Sequence, residues 1–253
     1  MTNLKVFYHV TNLPNWREIA DEQMARLSSS GLLENAEVHI NLNYDWPSSN
    51  EWRSLWHHHA NIKWHFFTGP WMECEHPTFQ LMQETVKSST EDCYALYWHQ
   101  KGITAANHEF IPLQHSSRAW RRYLDWFNVV NWRKMVEKLD EGCWDTVGVE
   151  RQTAGDINYQ GNLVYNYAGS ICWYNSKFLK RVPTLKLPST VDYKSQTVPG
   201  RRYRDDVEYL CGWYNDRGYS FYHSGRDLYQ YAIPEQDYIN IFNSETSHNK
   251  YSI

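Results

Sequence analysis

The sequence predicts one α/β domain: a mostly parallel central sheet flanked by helices. Three observations lead to that class. The chain opens strand–helix–strand, the unit from which parallel sheets are made. The same alternation continues along most of its 253 residues. No internal repeat, low-complexity tract or linker divides it, so one large core is the economical solution.

Taken in order, Leu4 to Val10 (LKVFYHV) is short, β-branched and aromatic, and reads as a strand. Asn15 opens a helix, with Glu18 at capping-box spacing. Trp16, Ile19, Ala20, Gln23, Met24 and Leu27 share one face at a 3.6 period, and Gly31 is placed to end the helix. Glu37 to Leu42 and Ile62 to Phe67 read as strands, Thr78 to Lys87 as a helix, and Cys93 to Trp98 (CYALYW) as the strongest strand. A loop with Gly102, Asn107 and Pro112 follows. A helical region from Ser117 to Leu139 carries a break near Asn128 to Asn131. Trp144 to Val149 and Ile171 to Tyr174 are strands, and a short helix ends near Pro183. Leu185 to Gln196 reads as a loop, Arg201 to Tyr214 as helical, and the tail from Pro234 is weakly patterned.

Composition narrows the function classes. There are 25 Lys and Arg against 29 Asp and Glu, a net charge of −4, which excludes a polycationic coat for nucleic acid or anionic lipid. Aromatics make up 16% of the chain, enough to fill a core and also to supply flat platforms for sugars or bases. The five cysteines are widely spaced with no C-x-x-C, which argues against a disulfide framework or a thiolate zinc site. The N-terminus has no apolar run behind a basic start, and the longest uncharged stretch, Ile157 to Ser176, is rich in Asn, Gln and Tyr. The expectation is a soluble, cytoplasmic protein without a membrane partner. His57, His58 and His59 are consecutive and cannot face one metal; with Trp52, Trp56 and Trp64 they suggest an aromatic-rich surface or lid.

Ligands of open α/β sheets bind beyond the carboxyl ends of the strands. After CYALYW comes His99-Gln100-Lys101-Gly102. His99 and Lys101 offer donors and positive charge suited to phosphate, and Gly102 lets the backbone turn tightly. The alternative is that both side chains line a solvated loop.

That segment resembles the strand-plus-H-T-K-G motif of small glycosyltransferase-like proteins from large bacteriophages, other large viruses and bacteria, related to rhamnan-synthesis-type transferases. Four more stretches match in order: LKVFYHV-TNLPNWREIADEQMARLSSSGL; Arg118 to Phe127; Gly169 to Tyr174 running on to Pro183; and Glu208-Tyr209-Leu210-Cys211-Gly212. Together they span roughly residues 4 to 215. Ser170 stands where the group has Asn, Cys172 where it has the first Trp of a pair, and Asn166 where it has His. These departures bear on the acceptor more than on the fold.

The resemblance implies a GT-A-type fold and transfer of a sugar from a nucleotide sugar to a hydroxyl. Many such enzymes hold a divalent metal with an Asp-x-Asp after the central strand. Here His99, Lys101 and Gly102 occupy that station, so the donor diphosphate is expected on cationic side chains, with no metal or other cofactor required. Glu73-Cys74-Glu75 and Asp205-Asp206 keep a metal alternative open. Glu208 is the first candidate for the base that takes the acceptor proton, and Asp206 the second; both otherwise read as helix-surface acids. Tyr8, His9 and Asn12 are expected at the nucleoside, with a core position the alternative for Tyr8. Gly169, Ser170, Trp173, Arg121, Arg122 and Arg202 are expected at the acceptor.

The arginine clusters on an acidic chain suggest an anionic partner. Double-stranded DNA carrying hydroxymethylated cytosine, as glycosylated by enzymes of T-even-like phages, would fit, through phosphate contacts and an extruded base. The arginines could equally pair with neighbouring acids. A glycan or protein acceptor is the second reading, and a non-catalytic carbohydrate- or nucleic-acid-binding module the third.

Overall fold

The computed structural model describes residues 3–11, 13–43, 56, 59–67, 75–106, 109–157, 163–184, 214 and 216–245. Its centre is a seven-stranded sheet. Strands β1 (Asn3–Val10), β2 (Ala36–Asn43), β3 (Ile62–Phe67) and β4 (Cys93–His99) run parallel, β2 and β4 flanking β1. Beyond β4 lie β8 (Cys172–Asn175), β5 (Thr146–Gly148) and β9 (Gly218–Ser220). β8 is antiparallel to both neighbours, so the remaining six strands all point one way. β6 (Arg151–Ile157) and β7 (Leu163–Tyr167) form a separate antiparallel ribbon.

Alternation along the strands assigns the helices to two faces. On β1, Leu4, Val6, Tyr8 and Val10 share one core with α1 (Trp16–Ser29), α2 (Leu32–Asn35), α5 (Ile111–Asp125) and α6 (Trp132–Asp140). Phe7 turns the other way, onto α3 (His76–Ser88) and α7 (Ser176–Arg181). The short α4 (Ile103–Ala106) follows β4, and α8 (Glu235–Glu245) closes the described chain. Sheet strands covered on both faces carry near-continuous apolar runs, which is why CYALYW was readable.

Several boundaries differ from the sequence reading. Pro77 and Pro112 lie in the first turns of α3 and α5, where a missing N–H costs nothing, so both helices begin earlier than expected. Asn15 precedes α1 with φ 66° and makes no side-chain cap, so the expected capping box is absent. The break in the long helical region is a π-helical turn, Trp126–Val130. The tail after Pro234 is helical: Tyr238 and Phe242 pack on Phe127, a contact no local pattern announces. Trp56 is 8% exposed and stacks on Trp64 at 6.1 Å, so it is core rather than the surface expected; His57 and His58 lie outside the described residues. The stretches 185–196 and 201–213 also lie outside them. Among the described residues no helix is long and apolar enough to cross a membrane, and Cys93, Cys143 and Cys172 are free thiols.

Candidate functional site

The order β3-β2-β1-β4 contains a reversal: the chain winds outward from β1 through β2 and β3, then crosses back to place β4 on β1's other side. Such a switch point opens a crevice beyond the strand ends. His9 and His99 are register partners there, on the α3 side of the sheet.

Both imidazoles are buried. His9 Nδ1 lies 2.7 Å from Thr78 Oγ1, which also accepts from Asn41 Nδ2 at 3.0 Å. Burial lowers the His9 pKa to about 3, so this ring is neutral. His99 Nδ1 lies 3.0 Å from Glu75 Oε1. Burial disfavours the Glu75 carboxylate, but His99, with help from Lys101 and His9, outweighs it and holds the pKa at about 2. His9 Nε2, His99 Nε2 and Glu75 Oε2 are buried and have no hydrogen-bond partner among the described residues. A buried polar atom left without a partner costs about 1–3 kcal/mol, a cost that a water or a polar ligand at this strand end would relieve.

Past β4 the chain turns at Gly102 (φ 79°), where a Cβ would stand 2.8 Å from Ser117 Cβ. That close approach to α5 sets Lys101 over Trp120, its Nζ 4.3 Å from the ring centroid and 5.7 Å from that of Tyr229. Lys101 forms no ion pair with a described residue. Its Cε lies 3.5 Å from where a Gly169 Cβ would be, so the turn carrying Gly169 (φ 92°) and Ser170 (φ 59°) borders the lysine. The Ser170 hydroxyl is buried and has no partner among the described residues.

Behind the crevice a buried network ties the strand ends to the helices. Tyr8 donates to Gln23, and Gln23 donates to the His99 carbonyl and to Asp125, which also accepts from Trp98 Nε1 at 2.7 Å. The Gln100 amide accepts from Thr11 N and donates to the Trp16 carbonyl.

Four expectations are corrected by this arrangement. Tyr8 is fully buried and occupied by Gln23, so it is core, not a nucleoside contact. Trp173 is fully buried too, donating to the Asn128 carbonyl at 2.9 Å, and offers no ring face to an acceptor. Arg121 and Arg122 converge on Glu22 of α1, with Arg118 near the same carboxylate. Arg121 also donates to the Lys101 carbonyl at 3.1 Å, so it braces the loop instead of meeting an acceptor. Arg121 is thus buried and committed within the fold, whereas Arg118 and Arg122 share the one Glu22 carboxylate and stay partly exposed; nothing in this arrangement points to DNA. Asn12, Arg202, Asp206 and Glu208 lie outside the described residues.

No group of three or more His, Cys, Asp or Glu among the described residues is arranged to hold a metal. At the station after β4 the Gln100 amide is committed to the backbone; Glu73, Cys74 and Asp205, candidates for a metal in the sequence, lie outside the described residues.

Sequence reasoning missed Glu150. It follows β5 with φ 56°, and its carboxylate is almost fully buried. Oε1 accepts from the Tyr123 hydroxyl and Ser224 N, each at 2.8 Å, and Oε2 lies 2.9 Å from His223 Nδ1. The signal was a lone acid after a short apolar strand, too common to single out.

No protein-family model and no curated protein matches the chain. Among solved structures it is similar to a protein described as a nucleotide-diphospho-sugar transferase from Desulfovibrio desulfuricans G20, with 8% identity and a TM-score of 0.38, over 88% of this chain and 81% of that one. It is also similar to a protein described as a glucose-1-phosphate thymidylyltransferase from Bacillus anthracis, solved with sucrose, with 12% identity and a TM-score of 0.43, over 100% and 98%. Similarity this distant assigns no activity to the chain.

Proposed function

We propose that the chain is a glycosyltransferase that takes its sugar from a nucleotide sugar, with the donor diphosphate seated over the β1/β4 switch point. The observation that carries this is Lys101: an ammonium held on an indole at the sheet edge, unpaired among the described residues. Nucleoside diphosphate is a good leaving group only when its growing negative charge is met, and a preorganised cation does that without reorganisation. His99 contributes differently from the expectation: its Nδ1 faces Glu75, and Nε2 is the nitrogen left for a ligand. Gly169 and Ser170, against Lys101, fit the acceptor side, and the acceptor is a hydroxyl whose carrier the described residues do not specify.

The test is thermal shift with UDP, GDP, CDP, ADP and dTDP. One of them should raise the melting temperature, and Lys101→Ala should abolish that rise while leaving the unliganded melting temperature within a few degrees. No stabilisation by any of the five ends this reading and favours a binding module for some other ligand.

A further inference from the structure

We infer that His223, oriented by Glu150, is the base that takes the acceptor's proton. This rests on the glycosyltransferase reading. The six co-directional strands bring the ends of β4, β5 and β9 to one edge, and β8 begins there. Along that edge Lys101 borders the Gly169 turn, Ala168 N donates to the Glu150 carbonyl at 3.0 Å, and Glu150 holds His223. β4 and β5 are two strand spacings apart, roughly 10 Å, and Trp120 under Lys101 and Tyr123 on Glu150 lie three residues apart on α5.

The Glu150–His223 pair has the form of an oriented base. Glu150 is a non-glycine residue in the left-handed region, a strained conformation that the fold maintains through Glu150 N donating to the Tyr222 carbonyl. Both carboxylate oxygens are occupied, by Tyr123 and Ser224 on one and His223 on the other. With Oε2 on Nδ1, that nitrogen carries the hydrogen and Nε2 presents its lone pair; the side chain is 51% exposed, so the lone pair can meet a substrate. In the step, the acceptor O–H proton passes to Nε2 as the oxygen bonds to the sugar's anomeric carbon. The bond from that carbon to the diphosphate oxygen breaks, and its electron pair leaves with the nucleoside diphosphate beside Lys101. Displacement of this kind inverts the anomeric centre.

The experiment uses the full chain and the nucleotide sugar of whichever diphosphate stabilises it, following release of nucleoside diphosphate with water or an alkyl glycoside as acceptor. His223→Gln should keep the diphosphate thermal shift and the donor KM, lower kcat at least roughly 10²-fold, and lose the acidic limb of the pH–rate profile. Glu150→Gln should retain that limb and move its midpoint, as expected of a positioning residue. Wild-type kcat, or an unchanged acidic limb, in a folded His223→Gln variant overturns the inference, as does loss of turnover confined to Glu208→Gln. If the wild type is stabilised by no diphosphate and releases none, the glycosyltransferase reading itself has failed and this assignment falls with it.

Discussion

At the scale of residues, the same chemical types end in opposite roles according to what surrounds them. Trp120 and Trp173 are both indoles on the second half of the chain. Trp120 lends its face to a lysine at the sheet edge; Trp173 sits fully buried with its N–H on the Asn128 carbonyl. Asn128 belongs to the π-helical turn, where backbone pairing is irregular, so that carbonyl depends on the indole. Trp173→Phe should therefore cost about 1–3 kcal/mol for the orphaned carbonyl alone, read as a lower denaturant midpoint. Lys101→Ala should behave oppositely, losing ligand stabilisation with little change in the free protein. His99, Lys101 and Gly102 were legible in the sequence because they directly follow an unmistakable strand. Glu150 and His223 were not, because 73 positions separate them and only the β5–β9 pairing brings them together.

At the scale of elements, the helices were readable wherever an apolar period ran uninterrupted, and misread at their first turns. Proline in a first turn looks like a loop when judged without its context, as Pro112 shows. The β6–β7 ribbon escaped notice because its Asn- and Tyr-rich sequence has no clear alternation, and α8 because its apolar residues gain their meaning only against Phe127. The turn at Gly102 is where local conformation and packing act together. Gly102→Ala meets both an unfavourable φ and the Ser117 backbone and Cβ, whereas Gly142→Ala (φ 75°) meets the strain alone, with no atom near its new methyl. Gly102→Ala should lower the melting temperature several degrees more than Gly142→Ala and should also weaken diphosphate stabilisation.

At the scale of the whole molecule, burial of histidines couples the fold to pH. Burial lowers His9 to about 3 and His76 to about 4, and His39 to about 4 despite the opposing pull of Glu37. Each binds its proton in the unfolded chain near pH 6.5 but in the folded one only below 3 to 4. Between those values the unfolded state holds more protons, so stability falls as the pH drops below about 6.5, by up to about 1.4 kcal/mol per pH unit for each group. Glu75 and Glu37, held at about 2 by their cationic neighbours although burial opposes it, act in the same direction below about 4.5. Melting temperature should be flat from pH 7 to 8 and fall from pH 6.5 to 4, less steeply in His9→Asn. A fall that begins only below pH 4.5 would remove the histidines from this account.

The sequence by itself determined the class of fold and the place of the central strand, and it singled out the His99-Gln100-Lys101-Gly102 turn that follows it. Each of these is written in local periodicity and in neighbours a few positions apart. Tertiary structure alone decided that β8 runs backwards, that the α5 arginines belong to Glu22, and that a buried carboxylate and a distant histidine meet at the edge shared with Lys101. Those outcomes depend on strand order and on which charges find partners at long range, and no local pattern records either.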